Sequence, residues 1–192
     1  MEKEYADKII LTLRNKYREK LAEELPVGRQ IQAGADSIAL QRKEIFREKC
    51  TMLLPEVMSD MEERKAAVKY RNQNRPQVIK SDVKGDASFT FSLISADEGE
   101  ETPLKRLKKI QDDMKKIWKQ NVFYDMGEVY ADMLPVAWMD FKSFCLNGSL
   151  YNLLFLFDFE ERTVLGNFHC VFSEYDIWKP VVLKLLTTIQ ID

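Results

Sequence analysis

Residues 136–172 read VAWMDFKSFCLNGSLYNLLFLFDFEERTVLGNFHCVF, three apolar, aromatic-rich runs in succession. In the first run Ala137, Met139 and Phe141 fall on one face and Val136, Trp138 and Phe144 on the other, so that strand is buried on both sides for part of its length. Leu146-Asn147-Gly148-Ser149 joins the first run to the second, and Asn-Gly is the strongest short hairpin signal. A second turn is predicted around Glu160-Glu161-Arg162. A helix then closes the chain, with Ser173 as its N-cap and Asp176 three residues on. Ile177, Val181, Leu185 and Ile189 make its inward stripe, helped by Trp178, Val182 and Leu186, and Pro180 kinks it or delays its regular start. The reading is an α+β fold, an antiparallel β-sheet with packed helices.

Working outward, Ala87, Phe89, Phe91 and Leu93 alternate with Ser88, Thr90 and Ser92, which predicts a strand with one dry and one wetter face. The loop 82–86, with Gly85, is short enough for a hairpin to the strand beginning near Pro76. An acidic loop covers 97–101. Thr102 and Pro103 then start a helix as N-cap and first helical residue. Leu104, Leu107, Ile110, Met114 and Ile117 form its buried stripe. Lys105, Lys108, Lys109, Lys115, Lys116 and Lys119 cover the rest, the last three complementing the negative helix end. Short strands broken near Gly127 are expected over 122–130, a strand over 45–54 and a short helix within 56–70.

At the start of the chain, Tyr5, Ile9, Leu13, Tyr17 and Leu21 recur every four residues and predict an amphipathic helix over 4–24. Leu25-Pro26-Val27-Gly28 stops it. Residues 29–41 read as a linker or weak helix, which divides the chain into an N-terminal helical extension, 1–41, and an α+β sandwich domain, 42–192.

The chain has 192 residues with 29 Lys and Arg against 31 Asp and Glu. That balance gives no reason to expect nucleic acid or an anionic membrane as partner, although a local basic patch is compatible with it. The cysteines, Cys50, Cys145 and Cys170, form no CxxC pair, which argues against a zinc site or a disulfide scaffold. Cys145 and Cys170 read as small buried hydrophobes, able to cross-link only from neighbouring strands. No secretory leader is legible, and no run approaches the ~18 apolar residues of a membrane span. The expectation is a cytoplasmic protein.

The order of strand, paired strands, long helix, meander and closing helix resembles the PsbP-like α/β/α sandwich, also found in the Ran-binding Mog and bacterial DcrB groups. The resemblance covers 44–192. Leu-Leu-Pro-Glu at 53–56 is similar to the first strand and its turn, and Phe89-Thr-Phe-Ser-Leu93 to the central strand. Gly166-Asn-Phe-His-Cys170, Trp178-Lys-Pro180 and Thr188-Ile189 are similar to the ending of small uncharacterised bacterial members. The superfamily shares no catalytic motif, and its members are mostly accessory or binding proteins. The resemblance therefore implies an accessory role and no cofactor.

His169 is the only histidine. It points to the opposite face from Cys170, so the two cannot form a dyad by adjacency, and it reads as a structural residue. The pairs Asp97/Glu98, Glu100/Glu101 and Glu160/Glu161 read as solvated turn charges, not a cation loop. Asp140 lies inside an apolar strand and is expected to pair with a cation on a neighbouring strand or to face the wetter side. No glycine-rich phosphate loop can be placed. The aromatic residues of the meander read as core.

These residues support a non-enzymatic binding or accessory domain acting through protein–protein contact, its partner unknown and a homodimer one form of that contact. The candidate partner-binding residues are Tyr5, Ile9, Leu13 and Tyr17, since an apolar stripe of that length invites association. One alternative is a small-molecule or lipid-fragment carrier with its pocket between sheet and helices. Another is an enzyme using Asp140 or His169 as base. Removal of residues 1–25 is expected to leave the domain folded and to change its mass in solution; an unchanged mass by light scattering refutes the role given to the stripe.

Overall fold

The computed structural model describes residues 28–47, 49–71, 75–95, 101–146 and 148–192. The helix expected over 4–24, with Tyr5, Ile9, Leu13 and Tyr17, lies outside the described residues, as does all of the acidic loop except Glu101. In chain order the strands are β1 (Gln30–Ala33), β2 (Asp36–Phe46), β3 (Cys50–Pro55), β4 (Ser59–Asp60), β5 (Val78–Ser81), β6 (Ser88–Ser95), β7 (Val122–Ala131), β8 (Leu134–Cys145), β9 (Gly148–Phe159), β10 (Arg162–Val171) and β11 (Gln190–Ile191). The helices are α1 (Glu63–Lys69), α2 (Pro103–Ile117) and α3 (Tyr175–Leu186). Seven strands form one antiparallel sheet in the order β4-β5-β6-β10-β9-β8-β7, and β1-β2-β3-β11 form a second.

The meander is therefore β8, β9 and β10, as its alternation predicts. Two-residue connections join these strands, because Cys145 pairs with Gly148 and Phe159 with Arg162. Gly148 is thus the first residue of β9 and not a central turn residue, since the ladder carries on to that pair. At three hairpins the first connecting residue has positive φ: Gly34 at 64°, Asp132 at 57° and Glu160 at 54°. Such turns match the right-handed twist of the flanking strands.

The large sheet is covered on both faces. On one, Leu107 of α2 packs against Ala137, Met139 and Leu156. Thr102 caps this helix, accepting the N–H of Lys105 at 3.4 Å, and Pro103 follows at the first helical position. On the other face lies the main core. Phe89, Phe91, Tyr151, Leu153, Phe155, Phe157 and Phe168 point from the large sheet toward Met52 and Leu54 of the small sheet and Val181, Val182, Leu185 and Leu186 of α3. Each such side chain contributes on the order of 1.5–3 kcal/mol by leaving water.

Several expectations are corrected. Residues 29–41 are not a linker or weak helix: Ile31 and Ala33 turn inward while Gln30 and Gln32 stay exposed, and β2 passes through position 41 without a break. The polar outer face hides this strand period. β7 does not break at Gly127; its irregularity lies between Phe123 and Met126. Ser88 and Thr90 are buried, because Lys69 donates to Ser88 Oγ at 3.1 Å and Thr90 Oγ1 donates to the Asn167 carbonyl at 3.3 Å.

At the end of the chain, Ser173 does not cap α3. A 3-10 turn, Phe172–Glu174, precedes the helix, and the Tyr175 N–H bonds back to the Phe172 carbonyl. Pro180 stands inside α3, and Ile177 is exposed against the β1–β2 turn, not buried with Val181 and Leu185. Cys145 is exposed at the end of β8, and β9 separates it from Cys170.

One row crosses the large sheet through directly opposed residues: Gly127, Trp138, Phe155, Gly166, Phe91 and Val78. The glycines are what the rings require. A Cβ on Gly127 would lie 3.2 Å from the Trp138 ring, and one on Gly166 would lie 2.1 Å from the Phe155 ring. Gly166→Ala is expected to destabilise the fold by about 1–3 kcal/mol or more through overpacking, read as a lowered urea midpoint at unchanged slope. An unaltered midpoint refutes the close stacking.

Candidate functional site

Asp140 sits on the face of β8 that looks into the main core, with no exposed surface. Opposite it β7 bulges, because Phe123 pairs with Phe141 and Met126 with Met139, leaving Tyr124 and Asp125 to face one residue. A bulge of this kind frees a backbone donor and re-aims a side chain. Here the Asp125 N–H donates to Asp140 Oδ1 at 2.8 Å. The Tyr151 hydroxyl donates to Oδ2 at 3.1 Å. Lys179, reaching in from α3, donates to Asp140 Oδ2 at 3.0 Å and to Asp125 Oδ2 at 2.7 Å. Its ammonium also stands 5.1 Å from the centre of the Trp138 ring, near enough for a cation–π contribution.

The expected cation for Asp140 therefore exists but comes from the closing helix, not from a neighbouring strand. Lys179 carries a sequence signal of its own. Tyr175, Lys179, Val182 and Leu186 share one helix face by three-and-four spacing, so a lysine interrupts an apolar face. Asp125 carries no such signal, because only its partner strand creates the bulge.

Burial pushes the Asp140 carboxyl above its ordinary range, while Lys179 and the Asp125 N–H pull it back. Burial would lower Lys179, but Asp140 and Asp125 outweigh it and hold the ammonium above its ordinary value. The Tyr151 phenol is held well above its usual value, first by burial and then by the charge of Asp140. The group is a buried lock of opposite charges.

His169 lies apart from this cluster. Its neighbours Phe168 and Cys170 belong to the main core, so its ring points to the other face of the sheet. There its Nε2 stands 3.4 Å from the Tyr70 hydroxyl. Burial first, and then Lys69, hold its imidazole down at about 3, which makes it a poor proton acceptor near neutrality. Asp140 and His169, the two candidate bases, are not brought together. On that same face Arg106 turns inward from the lysine-covered helix α2, donating to Thr163 Oγ1 at 2.6 Å and to Asp158.

One open groove lies between the two sheets. Of about 970 Å³, it has Phe46, Val78, Leu93 and Phe159 in its wall and Glu44, Arg47, Lys49 and Lys80 around it. Among the described residues no three His, Cys, Asp or Glu side chains stand close enough to hold a metal ion, and no helix is long and apolar enough to cross a membrane.

Lys179→Met is expected to cost about 3–5 kcal/mol, because it leaves Asp140 buried without its cation. The stabilisation from Lys179 is complete below the ordinary lysine value of 10.5 and is lost as pH rises through its higher folded value. Urea unfolding is therefore expected to show an alkaline loss of stability in the natural chain that Lys179→Met lacks; identical alkaline profiles refute the lock.

No family model matches the sequence, and no curated protein matches it. Among solved structures it is similar to the cyanobacterial PsbP (CyanoP) of Synechocystis, with a TM-score of 0.59 at 9% identity over 84% of this chain and 97% of that one. A protein of unknown function from Pseudomonas aeruginosa, described as a putative regulator, superposes with a TM-score of 0.44 at 10% identity over 78% of this chain and 94% of that one. The fold of this chain is PsbP-like.

Proposed function

We propose that this chain is a non-enzymatic accessory domain that acts by holding another protein. The observation that carries the reading is where its chemistry lies. The carboxylate and imidazole that a reaction would need are buried on opposite faces of the large sheet, each engaged by its neighbours. The groove between the sheets is open, with apolar residues in its wall and charges of both signs at its edge. Apolar area supplies binding energy, and a mixed rim supplies orientation, which is the make-up of a protein contact. In this reading Tyr5, Ile9, Leu13 and Tyr17 add a second contact, to another copy or to the partner.

A photo-crosslinking residue at Arg47, beside the groove, is expected to capture one protein from native extract. The same residue at Val68, exposed on α1, is expected not to capture it. Identical products from both positions overturn the reading. So does a small molecule retained by the purified chain in native mass spectrometry and lost on Phe46→Asp.

A further inference from the structure

One end of the large sheet gathers side chains of two kinds. The end of α2 and the start of β7 lie there, since Val122 pairs with Lys142 of β8. The β8–β9 hairpin and the end of β10 lie there too, since Cys145 pairs with Gly148 and Val171 with Leu150. Ile117, Trp118, Val122, Phe144 and Leu146 are all exposed at this end, Ile117 by 67% and Leu146 completely. A cluster of large apolar side chains left in water needs an explanation.

These side chains stand on fixed backbone. The Trp118 N–H closes α2 on the Met114 carbonyl at 2.8 Å, and the Trp118 carbonyl accepts the Asn121 N–H at 3.0 Å. The Lys142 ammonium stands 5.2 Å from the Phe144 ring centre and 4.1 Å from that of Phe172. Lysines flank the apolar group: Lys115, Lys116 and Lys119 at the end of α2, and Lys142 near the end of β8. Of the acids nearby, Asp113 pairs with Lys116 at 2.8 Å, Glu174 accepts the Trp178 indole N–H at 3.2 Å, and Asp112 is exposed on α2. The patch is local, since the whole chain is nearly neutral.

We infer that the basic end docks this domain onto an anionic lipid surface. Leu146, Phe144 and Trp118 enter the headgroup boundary, and Lys115, Lys119 and Lys142 meet the headgroup charges. The charge argues for this occupant, because lysines flanking exposed apolar anchors are the pattern of interfacial binding. The shape argues for it as well. The anchors stand on a helix end and a hairpin tip, so a deformable layer covers them from all sides as a rigid partner would not. Tryptophan suits the boundary, and lysine stems lie along apolar surface while their heads stay wet. This docking is independent of the groove between the sheets.

The full chain is tested by sedimentation with vesicles of phosphatidylcholine mixed with phosphatidylglycerol, and with phosphatidylcholine alone. Binding is expected to the mixed vesicles at low salt, to fall steeply with added salt, and to be near background on phosphatidylcholine. Lys119→Ala is expected to weaken partitioning about five-fold. Leu146→Asp combined with Trp118→Ser is expected to abolish it while the circular dichroism and melting temperature stay those of the natural chain. Failure to sediment with mixed vesicles at low salt overturns the inference, as does undiminished binding by the folded double variant. A dimer by light scattering that the double variant turns into a monomer, with no vesicle binding by either, assigns this end to a second copy instead.

Discussion

The buried contact between Asp140 and Lys179 sets the position of the closing helix. An ion pair away from water is favourable only at short range, and separating its members leaves a charge with no solvent to receive it. Helix α3 therefore cannot slide a turn along the sheet, or rotate, without stranding one charge or both. Apolar contacts alone would not impose this, since leucine and valine side chains tolerate such shifts far better. The pair holds α3 where Val181, Val182, Leu185 and Leu186 meet the aromatic face of the meander. The small sheet then closes over the same core, with β11 pairing to β3 directly after the helix.

The geometry around the pair explains why a carboxylate can be kept there. Three donors converge on Asp140, and two of them depend on features of other strands: the bulge of β7 and the hydroxyl of Tyr151 on β9. The lock is therefore shared by β7, β8, β9 and α3. The carboxylate whose apolar surroundings suggested chemistry is thus engaged by three donors. His169 is likewise enclosed on the opposite face of the same sheet.

Much of the architecture could be read from residue order. The meander was legible because aromatic residues alternate along it and two-residue turns interrupt it. Helix α2 was legible because Thr102 and Pro103 mark its start. The strands β1 and β2 were not, because glutamine and serine cover their outer face and the inward Ala33 is small. The stripe of α3 was read half correctly: Val181 and Leu185 are buried, but Ile177 is not, and Lys179 shares the inward side with Val182 and Leu186. Asp140 was recognisable as an anomaly in β8 and Lys179 as one on the apolar face of α3, whereas Asp125 was not, since a bulge depends on two strands.

Strand β7 forms the outer border of the large sheet and is ten residues long, with valine, phenylalanine, tyrosine and methionine along it. A regular border of that composition would be an open template for strands of other molecules, and so for fibril growth. The doubled residues at Tyr124 and Asp125 interrupt the regular spacing of its backbone groups. The irregularity that supplies a donor to the core thus also blunts the margin of the molecule, so internal charge burial and resistance to cross-β assembly depend on the same two residues.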